Sequence, residues 1–154
     1  MIPPVPSGTR IPSSINAAAV IAPGCLDMVN FWEPDSIPEH LRNRRLYKHN
    51  AKQTLVRTTP DENTRLGEII SAKLNASIGP VAVYLPLRGI SVISAPDKPY
   101  YWPEADRALF DSLKTHLRPD IPCHELDCHI NDPVFARAMA EELLRMCANV
   151  AAAR

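Results

Sequence analysis

Between Cys123 and Pro133 the chain reads CHELDCHINDP, which places two thiols, two imidazoles and three carboxylates within eleven residues. Such groups could ligate a metal, form the rim of a catalytic site, or belong to a strand that runs into a helix. Side chains alternate along a strand, so Cys123, Asp127 and His129 would face one side, with His124 and Cys128 on the other. One site cannot readily use both sets. The spacing matches neither the CxxC pairs nor the HxxxH forms of zinc sites, so no structural metal is expected. Two readings remain: a buried strand with a satisfied histidine and inert thiols, or a rim role for His129, Asn131 and Asp132. Asp132 precedes Pro133 and would cap a helix whether or not it has a further role.

Three other stretches carry candidate chemistry. CLDMVNF sets the polar pair Asp27 and Asn30 in an apolar context, where they would either cap loop backbone or meet a ligand, Asp27 accepting from a hydroxyl or holding a cation. YKHN and VRTTPDE bring Lys48, His49, Asn50, Arg57, Thr58 and Thr59 ahead of a helix start, where an arginine and two hydroxyls suit a phosphate or carboxylate. The bland alternative is that Thr59 only caps and Arg57 is a solvated charge. LPLRG offers Arg88 at a strand end, and Gly89 permits a positive φ or a close backbone approach. An enzyme built from these parts would use His129 or His49 as general acid or base and Arg88 or Arg57 to hold an anion.

Composition bounds these readings. A chain of 154 residues has room for one sizeable core. Seventeen basic and seventeen acidic residues cancel, so no general pull towards nucleic acid or an anionic membrane is expected. Sixteen prolines against five glycines argue against a glycine-rich phosphate loop, and neither GxGxxG nor GxxxxGK[ST] occurs. No apolar run approaches the roughly eighteen residues that span a bilayer. With no secretory leader in view and four cysteines, reduced thiols in the cytoplasm are the expectation.

The elements that must position the candidates follow from pattern. MIPPVPSGTRIPSSIN, residues 1–16, reads as an extended or disordered leader. AAAVIAPG and VAVYLPL are continuous apolar runs typical of strands buried on both faces, and CHELDCHI is a third strand candidate. Ser36-Ile-Pro-Glu39 and Thr59-Pro-Asp-Glu62 have capping-box spacing. The first predicts a short helix through Arg45, the second a helix with Leu66, Ile69, Ile70, Leu74 and Ile78 on one face, stopped by Gly79-Pro80. GISVISAPDKPYYWPE reads as an ordered excursion with a short extended piece at Ile90 to Ile93. Pro103 opens a helix burying Leu109, Phe110, Leu113 and Leu117. Pro133 opens another burying Phe135, Met139, Leu143, Met146 and Val150. This alternation predicts an α/β fold: a Rossmann-like three-layer parallel sheet, small or partial, of about three to four strands flanked by helices. Ligands would then bind beyond the carboxyl ends of the strands.

Taken in order, PGCLDMVNFWEPDSIPE, YKHN, VRTTPDEN, GPVAVYLPLRGIS, PEAD leading into RALFDSLKTHL, and ELDCHINDPVFA resemble the C-terminal part of the Tm-1-like ATP-binding domain family, also known as uncharacterised protein family 0261. The resemblance covers about residues 18–148 and implies that residues 17–150 form a C-terminal Rossmann-like subdomain without its usual first subdomain. It further implies a cytoplasmic α/β protein, ATP bound by some members, with Mg as its companion ion. The founding plant member is similar to an inhibitor that binds a viral replication protein, and some relatives are fused to a barrel domain resembling phosphoenolpyruvate hydrolases. Three functions follow as expectations. The first is a module binding a nucleotide, a small anionic ligand or a partner, as a homodimer or docked to a first-subdomain partner, through Asp27, Asn30, Asn50, Arg57, Thr58, Arg88, Gly89, Asn131 and Asp132. The second is the histidine-dependent enzyme on a small anionic or phosphorylated substrate, and the third a truncated, inactive product.

Overall fold

The computed structural model describes residues 17–152; the leader expected over residues 1–16 lies outside them. Their centre is a parallel sheet of β1 (Ala19–Ile21), β5 (Val81–Pro86) and β6 (Cys123–Leu126), in the order β1-β5-β6. Ala19 pairs with Val81, and Val83 with Cys123. Every residue of β5 is buried, as a continuous apolar central strand requires.

Helices α1 (Pro60–Asn75) and α2 (Pro103–His116) cover one face and α3 (Pro133–Ala152) the other. The first core joins Leu74 of α1 and Leu109, Phe110 and Leu113 of α2 to Val83 and Leu85. The second sets Phe135 and Met146 of α3 against Ala82, Tyr84 and Cys128. This is the expected three-layer α/β arrangement. Both capping-box oxygens of α1 are engaged, since Glu62 N–H donates to Thr59 Oγ1 at 3.3 Å and Thr59 N–H to Glu62 Oε2 at 2.9 Å. At Gly67 an added Cβ would meet Ser112 at 2.6 Å, so α1 and α2 approach closely only with glycine there.

A second sheet departs from the sequence expectation. The loop foreseen after β1 contains β2 (Met28–Phe31), and the stretch between the two capping boxes holds β3 (Leu46–Asn50) and β4 (Gln53–Arg57). These pair antiparallel in the order β2-β4-β3. The helix expected from Ser36 to Arg45 is replaced by 3-10 turns at Pro34–Ser36 and Glu39–Leu41. Ser36 Oγ donates to Glu33 O at 2.7 Å instead of capping. A first helical turn is costly to nucleate, and this segment buries only Ile37 and Leu41. β3 begins only after this stretch, at Leu46, and Arg57 N–H reaches back to Arg45 O at 3.0 Å.

Smaller corrections have similar causes. The piece at Ile90 to Ile93 is a turn, because Ser94 Oγ accepts from the N–H groups of both Ile90 and Ser91 at 3.0 Å. Ile78 lies past the end of α1 and is 81% exposed. On α3, Phe135 and Met146 are buried and Met139 half-buried, whereas Leu143 and Val150 are exposed. No helix among the described residues is long and apolar enough to cross a membrane.

Candidate functional site

The candidate residues fall into three places. Asp27, Arg57 and Thr58 are buried together between the end of β4, the excursion that follows β5 and the start of α2. Arg57 ends β4, and its side chain enters the protein. Its Nε donates to Tyr100 O at 3.0 Å, Nη1 to Asp27 O at 3.3 Å and to Thr58 Oγ1 at 3.1 Å, and Nη2 to Asp106 Oδ1 at 2.6 Å. Thr58 Oγ1 in turn donates to Leu26 O. The guanidinium therefore clamps β2's approach, the 88–102 excursion and the start of α2, and at 1% exposure it does not reach solvent.

Asp27 is fully buried, and its Oδ2 accepts from Ser91 Oγ at 2.5 Å. Its Oδ1 and the hydroxyl of Tyr100, also fully buried, have no hydrogen-bond partner among the described residues. Burial raises the Asp27 carboxyl above the ordinary range against the pull of Ser91 and Arg57. Burial likewise pushes Asp106 up to about 6, and the Arg57 ion pair offsets it only in part.

The second place is the tip of the antiparallel sheet. Asn30 and Tyr47 both register with Leu55, which puts them on one face. Tyr47 stacks obliquely towards His49, ring centroids 6.4 Å apart, and packs edge-on against Tyr100. Beyond that contact Asn30, His49 and Asn50 are exposed, beside Trp32 at 76%. Asn50 Oδ1 accepts from Lys52 N–H at 2.8 Å and so shapes the hairpin turn.

The third place is the carboxyl edge of the parallel sheet, holding Arg88, Gly89, His129, Asn131 and Asp132. Gly89 has φ 130°, and a Cβ there would lie 3.0 Å from the His129 ring and 3.1 Å from Ala95 backbone, so the tight crossing demands glycine. His129 Nδ1 accepts from Asn131 N–H at 3.1 Å, and its other nitrogen contacts Ser91 O at 2.8 Å. A carbonyl can only accept and an amide N–H only donate, so the proton sits on Nε2. Neither nitrogen is open to a substrate in this arrangement. Asp132 Oδ2 accepts from His129 N–H at 2.8 Å, bracing the turn from behind. Arg88 forms a two-pronged pair with Asp127, both bonds 2.7 Å, with side chains 60% and 70% exposed.

His49 and His129 thus belong to different sheets. The anion-binding reading of VRTT also meets an obstacle: the positive end of α1 is occupied by its own Glu62, which Arg44 grips at 2.8 and 2.9 Å. Sequence reasoning passed over Ser91, Ser94 and Asp106. Serines three apart around Val92 and Ile93 were the available signal for a tied turn, whereas nothing local connects Asp106 to Arg57 across 49 positions. Among the described residues no three His, Cys, Asp or Glu side chains converge in a way that could hold a metal, and all four thiols are free.

A family model described as the C-terminal domain of the uncharacterised protein family UPF0261 matches residues 9–147. The chain belongs to that family. A UPF0261 protein of Clostridium tetani is 42% identical over 142 residues, covering 92% of this chain and 35% of the relative. One from Rhizobium meliloti is 47% identical over 117 residues, 75% of this chain and 29% of the relative. The ToMV resistance protein Tm-1(GCR237) of Solanum lycopersicum is 38% identical over 129 residues, 82% of this chain and 17% of its own length. The chain spans about a third or less of these relatives.

Proposed function

We infer that this UPF0261 segment is a binding module whose carboxyl-edge rim takes a small phosphorylated ligand, ATP being the example that the resemblance suggests. One observation carries the reading: the three loops at that edge are tied to one another beneath an exposed cation. Cys25 N–H donates to Ile90 O at 2.9 Å, Ile130 N–H to Gly89 O at 3.1 Å, and His129 Nε2–H to Ser91 O at 2.8 Å. A rim fixed in advance loses little entropy when a ligand arrives. Arg88 stands on it as a fork-shaped donor suited to phosphate, paired with the exposed Asp127 carboxylate, which a phosphate can replace. Magnesium would arrive on the phosphates. His129, Asn131 and Asp132 position the rim, and the remaining length of the relatives is the natural source of groups facing it from the other side.

Titration calorimetry with Mg-ATP tests the reading. Replacing Arg88 with Gln should weaken binding by about tenfold or more, the usual scale for a charge-assisted contact. Equal affinity in wild type and Arg88→Gln would reject Arg88 as the phosphate contact.

A further inference from the structure

Zero net charge conceals a local imbalance. Between Glu39 and Asp61 the chain holds Arg42, Arg44, Arg45, Lys48, Lys52 and Arg57 and no acidic residue, which leaves eleven cations against seventeen acids elsewhere. Two of the six are neutralised, Arg44 by Glu62 and Arg57 by Asp106. Arg42 turns back onto the 3-10 turns, its Nε donating to Ile37 O at 3.0 Å. Arg45, Lys48 and Lys52 remain, exposed on the β3–β4 hairpin and its approach, with no ion pair among the described residues.

β3 is an edge strand, and a lysine on such an edge by itself only discourages strand pairing. The rings beside it argue for a ligand. Arg45, Tyr47 and His49 follow one another on one face of the sheet at steps of about 7 Å. The Arg45 guanidinium lies 4.3 Å from the centroid of the Trp102 ring and donates to Tyr101 O at 3.0 Å, while the Tyr47 and His49 centroids are 6.4 Å apart. Trp32 follows β2, and its carbonyl accepts from Thr54 N–H at 3.0 Å, which extends the ladder by one residue. Alternation then sets its indole, 76% exposed, on the same face as Asn30 and Tyr47. The 3-10 turns with their acids Asp35 and Glu39 pack through Ile37 and Leu41 on the other face, against Phe31 and Val56.

We propose that this face of the antiparallel sheet binds a single-stranded nucleic acid, its bases stacking on Trp32 and His49 and its phosphates meeting Arg45, Lys48 and Lys52. Charge complementarity selects a polyanion, and the rings select among polyanions. Unpaired bases present flat faces that stack on exposed aromatic side chains whatever the sequence, whereas a duplex keeps those faces inside. An acidic peptide would use the three cations and leave the rings idle. Seating Arg45 on Trp102 holds its guanidinium in place, so that little freedom is lost when a phosphate arrives. This face belongs to the antiparallel sheet and the rim that holds Arg88 to the parallel one, so the two binding ideas stand or fall separately.

Fluorescence anisotropy with a dye-labelled single-stranded oligothymidylate tests the proposal. Binding should weaken with salt, the logarithm of the affinity falling against that of the salt concentration with a slope of about −2 for three phosphate contacts. A duplex of the same length should bind less tightly. Lys52→Gln should flatten the slope by about 0.7. Trp32→Ala should weaken binding by about tenfold and leave the slope unchanged. Arg145→Gln, which removes the same charge from α3, should change neither quantity. All three substitutions are at exposed positions, and a circular-dichroism melt of each variant separates lost binding from lost fold. Four results would overturn the proposal: no binding by the wild type at low salt, a slope flattened as much by Arg145→Gln as by Lys52→Gln, wild-type affinity in a folded Trp32→Ala, or oligoglutamate competing as strongly as the unlabelled oligonucleotide. The last would identify an acidic peptide as the occupant.

Discussion

Arg57 and Arg88 each stand at the end of a strand and each meets an aspartate, yet one is a brace and the other a handle. Arg57 is 1% exposed and donates to four oxygens from four parts of the chain. Arg88 is largely exposed, and its guanidinium bonds one side chain, itself exposed. The difference is one of layer. β4 ends beneath the excursion and the start of α2, where a cation must be fully satisfied, while β5 ends at the rim. An arginine after a strand is therefore no guide to ligand binding until the neighbouring layer is known.

The comparison can be broken most severely at Arg57. Arg57→Ala would leave Asp106 buried without its partner, and loss of one member of a buried pair typically costs about 3–5 kcal/mol. Urea denaturation should show that loss, and an unchanged midpoint would mean the brace holds nothing.

Acid titration sharpens the same contrast. Asp106 has a folded pKa of about 6 against an ordinary 3.8, so the folded state binds its proton more tightly than the unfolded one. Its contribution is fully present below the unfolded value and is lost as pH rises through the folded one. Stability should fall between about pH 4 and pH 6 by on the order of 2–3 kcal/mol from this group, at 1.4 kcal/mol per unit. Denaturation across that window checks it, and Asp106→Asn should flatten the fall. Glu62 acts in the opposite sense: although burial opposes it, Arg44 and the Thr59 N–H hold its pKa down, so its contribution is lost as pH falls.

Thr59→Ala removes the cap of α1 and should cost about 1 kcal/mol, a control between the extremes. Arg88→Ala should leave the denaturation midpoint where it is, since an exposed pair adds little. A large destabilisation there would erase the distinction between brace and handle.

The sequence carried some of this and not the rest. β5 was legible because VAVYLPL is apolar throughout, and α1 because its capping box and stop signal are local. β2, β3 and β4 were hidden because their stretches are short, and the Ser36-Ile-Pro-Glu39 spacing argued for a helix where Ser36 bonds back to Glu33 O and the chain forms 3-10 turns. Within the site, Gly89 and the Asp132 turn could be read from neighbours. The Arg57–Asp106 pair could not, because its partners meet only when the excursion and α2 have packed over the end of β4.

Hydrogen exchange with and without Mg-ATP tests the central claim most directly. Slowed exchange confined to residues 87–92 and 127–132, with residues 57–62 unchanged, is the result expected for a ligand on the rim. No slowing, or slowing centred on the start of α1, would contradict it.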